Sequence, residues 1–169
     1  ATATSAFEYI AAPTVTTALT SGGARDATNK GLAAGGESVV ITGTGLRAHP
    51  TTGAVPTVTI DGTSATVTAY SAVNQTLTVT LPAHAVGLVN VVVTNWDGQT
   101  SGTSGNGAFT YVHGVPHHLA LSWTSGALTT ATNDKDFTSQ PIITVQDAYN
   151  QTVTSGDGSN AVIDAAALG

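Results

Sequence analysis

A chain of 169 residues with 41% hydrophobic content fits one large domain, or one full domain with part of another, around a packed core. Only 8% of its residues are charged, against roughly 25% in an ordinary soluble domain, and four basic residues face ten acidic ones for a net charge of −6. That balance argues against a phosphate-binding surface or a polybasic membrane patch, and zero Cys excludes disulfides, thiol nucleophiles and Cys-based zinc sites.

The first periodic segment is Ala6-Phe7-Glu8-Tyr9-Ile10, a strand with Phe7 and Tyr9 on one face, followed by Pro13. Glu37 to Thr42 predicts a second strand, with Val39 and Ile41 inward between the turn signals Gly35-Gly36 and Gly43-Thr44-Gly45. Val55 to Ile60 and Ser64 to Tyr70 flank Asp61-Gly62, a strong hairpin dipeptide, with Ala65, Val67 and Ala69 inward on the second strand. Thr76 to Leu81 alternates without a fault, with Leu77, Val79 and Leu81 inward, and Pro82 ends it because Pro cannot donate to a ladder. Leu88 to Asn95 places Val89, Val91 and Val93 on one face, and Asp97-Gly98 marks the next turn. Ala108 to Val112 closes the series with Phe109 and Tyr111 paired. The segment Ala161 to Leu168 reads equally as a short helix or as a strand entering a turn.

Short strands about ten residues apart, separated by turn signals, are the pattern of an antiparallel β-sandwich. The 31 Thr support it, since Thr and Val fit a pleated, half-buried surface. No window shows an amphipathic helix repeat, and no apolar run approaches the roughly 18–20 residues of a membrane-spanning helix. No leader is visible, so it has been removed or the chain is a fragment. A self-comparison finds Ala6-Phe7-x-Tyr9-Ile10 again as Ala108-Phe109-x-Tyr111-Val112, 102 residues on, and Pro13 again as Pro116, 103 on. That offset equals one immunoglobulin-size sandwich of roughly 100 residues. The expected organisation is therefore a tandem array: residues 1–12 as the closing strand of a preceding domain or a donor strand, 13–112 as one complete domain, and 113–169 as part of a second.

The segment from Pro13 to Val112 resembles the IPT/TIG family of immunoglobulin-like domains. The resemblance rests on Pro13-Thr14-Val15 and on the run from Gly35 through Leu46. It rests also on Val58 through Gly62, on the Pro-, Gly- and Val-rich run from Leu81 through Asn95, and on Phe109-Thr110-Tyr111. It implies an all-β, immunoglobulin-like sandwich. Such domains occur in surface proteins, receptors, DNA-binding factors and, as accessory modules, carbohydrate-active enzymes; the basic loops of the DNA-binding group are missing here. From Pro116 onward the chain resembles the start of a bacterial surface immunoglobulin-like repeat. Leu119-Ala120-Leu121 and Phe137 through Asn150 carry that resemblance. Asn150 stands where that family has Gly, and Asn tolerates the left-handed conformation such a turn needs. Pro116 to Gly169 is too short for a whole sandwich, so either the sequence stops early or the missing strands come from elsewhere.

Candidate sites are few. His49, His84, His113, His117 and His118 read as linker or surface residues, because His117 and His118 point to opposite faces of a strand. Asp134, Asp136 and Asp157 lie in polar loops and are calcium candidates, yet Lys135 is a poor neighbour and no full loop motif follows. No other cofactor is expected. Glu37 has no paired carboxylate nearby, and neither a nucleophile elbow nor a phosphate loop is present, so no catalytic residue is assigned. Trp96, Trp123, Tyr70 and Tyr149 are the aromatics from which a sugar platform would be built. Trp123 is expected in a core, following Leu119 and Leu121 at period two, and Trp96 is the ligand-facing candidate. Asn74-Gln75-Thr76 and Asn150-Gln151-Thr152 match the N-glycosylation acceptor pattern.

These features predict an extracellular structural protein, a spacer and assembly module of a prokaryotic surface layer, filament or adhesin. Its partners would be copies of itself or neighbouring immunoglobulin-like domains, with a glycan as a further candidate and no nucleic acid or membrane insertion. Phe7, Tyr9 and Ile10 form the expected assembly strand, joined to a neighbour by β-strand addition. The alternative is an accessory carbohydrate-binding or substrate-positioning module of a secreted enzyme.

Overall fold

A computed structural model describes residues 10–22, 27–103, 108–123 and 141–154. The chain divides into two compact units, Ala1–Val112 and His113–Gly169. The described residues are strands and turns, with no helix.

Among the described residues of the first unit there are eight strands: β1 (Thr14–Ser21), β2 (Lys30–Leu32), β3 (Ser38–Thr44), β4 (Thr57–Ile60), β5 (Thr63–Ser71), β6 (Thr76–Thr80), β7 (Gly87–Thr94) and β8 (Ala108–Val112). Their hydrogen-bonded order is β1-β3-β6-β5-β4-β7-β8-β2. Residues Thr63–Ala65 of β5 pair with β4, and from Thr66 onward β5 pairs with β6. The run therefore folds into two layers, β1-β3-β6-β5 and β5-β4-β7-β8-β2, with β5 crossing between them. All the pairs are antiparallel except β2 with β8, which is parallel.

Period-two alternation decides which side chains meet between the layers. Val39, Ile41, Leu77 and Val79 of one layer pack with Val58, Ile60, Val89, Val91, Val93, Phe109 and Tyr111 of the other, all buried. Each such aliphatic side chain contributes roughly 1.5–3 kcal/mol through area removed from water. The Thr between them faces outward or lies half-buried, as in β6 with its alternation Thr76-Leu77-Thr78-Val79-Thr80. The Asp61-Gly62 hairpin forms as read, with φ of 47° and 82°, both positive as in a type I′ turn.

The structure corrects several sequence expectations. β1 and β2 were not legible as strands. Val55 lies outside β4 and is 40% exposed. Ala69 faces solvent rather than the core, because a bulge between Val67 and Ala69 shifts the register and turns Tyr70 inward instead. Ile10, the expected end of a strand, lies in irregular chain.

The second unit contains β9 (Pro116–Trp123) and β10 (Pro141–Asp147), paired antiparallel. Leu119 and Leu121 are 51% and 61% exposed, and Trp123 is half-buried, so this row is not the closed core that the spacing suggested. Residues 161–168, and with them the choice between helix and strand, lie outside the described residues.

Candidate functional site

Two poles of the sandwich position its loops. At the first, the connection after β3 is anchored on Leu46, 1% exposed. Its N–H donates to Gln75 Oε1 at 2.8 Å, and its carbonyl accepts the Tyr70 hydroxyl at 2.7 Å and Gln75 Nε2 at 3.3 Å. Asn95, 3% exposed, ties this connection to the loop after β7. Its Oδ1 accepts the Arg47 N–H at 3.0 Å, and its Nδ2 donates to the Gly45 carbonyl at 2.8 Å. Gln99 Nε2 donates to the Ile10 carbonyl at 3.0 Å, which fixes the segment leading into β1 at this same pole.

Trp96 stands on this braced loop, 41% exposed, with its ring in edge contact with His49 at a centroid distance of 4.7 Å. His49 Nδ1 accepts the N–H groups of Thr51 and Thr52 at 3.2 and 3.1 Å, leaving the proton of the neutral ring on Nε2. Tyr70 belongs to the interior bracing, its hydroxyl spent on the Leu46 carbonyl, and does not extend the Trp96 face.

At the opposite pole the Ala33 N–H donates to the Val112 carbonyl at 2.9 Å, where β8 ends. The Tyr111 hydroxyl donates to the Pro82 carbonyl at 2.8 Å, and burial pushes the phenol up to about 12. His84 stacks on Tyr111 at 5.0 Å, with Nδ1 2.8 Å from the Ala85 carbonyl and Nε2 3.4 Å from the Asp61 carboxylate. The Glu37 carboxylate accepts the Leu32 N–H, a role in closing the turn before β3.

In the second unit, Asp147 is 1% exposed and takes three backbone bonds. Oδ1 accepts the N–H groups of Tyr149 and Gln151, and Oδ2 that of Gly114, each at 2.9 Å. Burial by itself would raise its pKa. The N–H groups of Gln151, Gly114 and Tyr149, with the nearby His113, outweigh burial and hold the carboxyl below the ordinary Asp value. A Cβ on Gly114 would sit 2.9 Å from Asp147 Cβ and Oδ2, so the close approach depends on glycine. Asn150 has φ 63°, confirming that it takes the left-handed position of the turn.

Cross-strand register gathers Leu119, Leu121, Trp123, Ile143 and Val145 on one face of β9 and β10. The other carries His118, Ala120, Ser122, Ile142, Thr144 and Gln146, with His118 Nε2 3.1 Å from Gln146 Oε1. The expected alternation of His117 and His118 is broken, because the register shift between Gln146 and Asp147 leaves His117 without a cross-strand partner and the two rings meet, with Nδ1 atoms 3.3 Å apart. His113 Nε2 lies 3.4 Å from the Thr154 hydroxyl. Among the described residues no three His, Asp or Glu side chains converge on a metal position. Phe7, Tyr9, Asp134, Asp136 and Asp157 lie outside the described residues. Sequence reasoning missed Asn95, Gln75 and the depth of Asp147. Each is a polar residue next to a turn signal whose buried partner comes from a loop distant in the chain.

Two twisted layers around a single apolar core, a strand that crosses between them and a parallel β2–β8 pair define an immunoglobulin-like module. The family model of the IPT/TIG domain matches residues 26–111, half of the chain, and the chain belongs to that family. Domains of this kind typically serve as non-catalytic modules that mediate interactions or carry structure. The match begins after β1, although β1 pairs with β3 along its length apart from one bulge, and it does not extend into His113–Gly169. No curated protein matches the chain.

Proposed function

We propose that the chain is an extracellular structural module, a spacer and assembly unit of a prokaryotic surface layer, filament or adhesin. The observation that carries this reading is the separation of entry and exit. The chain runs into β1 beside Gln99 at one pole and leaves β8 beside Ala33 at the other. A domain threaded pole to pole adds its strand length, about 3.3 Å per residue, to an array instead of folding back. A surface of Thr, Ser, Asn and Gln with little charge suits that exposed setting.

Assembly proceeds through the segment Ala6 to Ile10. It carries the pattern of β8, whose Phe109 and Tyr111 are buried at 0% and 1% exposure while its backbone pairs on both sides. Phe7 and Tyr9 would enter a neighbour's sandwich in the same manner, and the apolar face of β9 and β10 is the acceptor. Analytical ultracentrifugation of the chain is expected to show concentration-dependent association, abolished by Phe7→Asp with Tyr9→Asp while the unfolding transition of the first unit stays in place. A wild-type chain that remains monomeric at high micromolar concentration overturns strand donation.

The exposed Trp96 favours a second reading, an accessory carbohydrate-binding module, because a half-bare indole on a braced loop offers a stacking face to a pyranose ring. Titration of a Trp123→Phe chain with soluble hexose oligomers would then shift the Trp96 emission saturably. Flat emission across the series removes this reading.

A further inference from the structure

We propose that Asn74 and Asn150 are sites of covalent N-linked glycan attachment, a step that rests on the extracellular reading above. The sequence holds eight Asn, and only these two have Ser or Thr two positions on, both as Asn-Gln-Thr. In each unit the structure puts the acceptor Asn of this triplet on an exposed turn that follows a strand. Asn74 lies on the β5–β6 turn and Asn150 on the turn after β10, both exposed.

Local geometry throws Asn74 outward. Its neighbour Gln75 has φ 52° and turns its side chain inward, holding Leu46 through Oε1 and Nε2 and donating from Nε2 to the Ala72 carbonyl at 2.7 Å. The Gln75 carbonyl is held by the Gly43 N–H at 3.0 Å. With Gln75 clamped, the preceding side chain projects from a rigid tip. The second triplet is fixed by different bonds to the same effect: Asp147 holds the N–H groups on both sides of Asn150, and Asn150 takes φ 63°.

A separate observation points to a ligand at both places. The residue before each acceptor is a bare apolar side chain: Val73 is 93% exposed and Tyr149 57% exposed. The first sugar on the following Asn would lay its apolar C–H face over that side chain and remove it from water. Asn90 supplies an internal control, because it is exposed but has Val92 two positions on.

The reaction is a group transfer with no change of oxidation state. The co-substrate is a sugar carried on a polyisoprenoid phosphate or diphosphate. The side-chain amide nitrogen of Asn74 or Asn150 forms a bond to the anomeric carbon, the bond from that carbon to the phosphate oxygen breaks, and the lipid phosphate leaves with the electron pair. The amide nitrogen gives up one proton to a base of the transferring enzyme.

The test is mass spectrometry of the protein recovered from its natural producer, with cell-surface and intracellular fractions analysed separately. Peptides containing Asn74 and Asn150 should carry a glycan mass, and the peptide containing Asn90 should not. Expressed in the same producer, Thr76→Val and Thr152→Val should each remove one glycan, whereas Thr76→Ser and Thr152→Ser should keep it. Valine preserves the β-branched shape, and an unfolding transition unchanged from the wild type separates loss of the acceptor signal from misfolding. Unmodified Asn74 and Asn150 in surface-recovered protein overturn the glycan proposal and leave the extracellular reading standing. Protein confined to the intracellular fraction and unmodified overturns both.

Discussion

Phe109→Ala is expected to lower the stability of the sandwich by about 3–5 kcal/mol, the range for truncating a buried aromatic. Phe109 is 0% exposed and sets its ring edgewise against Tyr111 at 5.7 Å, so its loss leaves a void in the core. Against a total of about 5–15 kcal/mol for a domain, this is enough to populate unfolded molecules. The β2 strand gives a sharper version of the same test. Gly31 has no room for a side chain: a Cβ there would overlap Leu81 Cδ1 and lie 2.8 Å from Phe109 Cζ. Gly31→Ala alone should cost about 1–3 kcal/mol by overpacking. Phe109→Leu alone should cost by leaving a cavity. Combined, the added methyl occupies part of the vacated space, and the double variant should be more stable than the sum of the two by a coupling of about 0.5–3 kcal/mol. Urea denaturation of the Trp123→Phe chain, followed through Trp96, reads each value. Strict additivity would show that Gly31 and Phe109 do not share the packing described.

The same contact explains how much of the fold the sequence revealed. Strands β3, β6, β7 and β8 were legible because each is long enough for two or three large apolar residues to recur at period two, and each buries that face. β2 was invisible because it is three residues long and its inward position at Gly31 is filled from outside by Leu81 and Phe109. β1 was missed for a related reason: a bulge between Val15 and Thr17 interrupts its period, and its inward residues beyond that point are Ala18 and Thr20 rather than large apolar ones. Ala69 was misassigned because period-two counting cannot register an extra residue in a strand. The bracing of the poles was hidden more deeply. Nothing near Asn95 announces that its amide must meet both the Arg47 N–H and the Gly45 carbonyl, since those partners arrive only when the β3–β4 connection folds over it. Trp96 stands out in the sequence at a strand end, where packing into the core or the turn is the expectation, and its ring is instead 41% exposed.

Asp147→Ala is expected to open the turn after β10 and cost the second unit about 3–5 kcal/mol. It strips partners from three backbone N–H groups, and a buried donor left unpaired costs about 1–3 kcal/mol each, less where water can enter. Asp147→Asn should fall between Ala and the wild type. Its single oxygen can still accept from Tyr149 and Gln151, but its NH2 would then face the Gly114 N–H, donor against donor. Amide exchange of the whole chain resolves the order: protection of Gly114, Tyr149 and Gln151 should decrease from Asp to Asn to Ala, with the Val79 and Val91 amides of the sandwich unchanged. The pH dependence has a definite sign. The native carboxyl titrates below the unfolded value of about 3.9, so its contribution is complete above that pH. As pH falls below about 3.9 the unfolded chain takes up the proton first, and the contribution shrinks until the native carboxyl is itself protonated. In the wild type, protection of these three amides should therefore decline steeply on acidification through that window. In Asp147→Ala the decline should be absent, because the group that titrates is gone. Equal acid sensitivity in wild type and Asp147→Ala would mean that the carboxylate does not hold the turn.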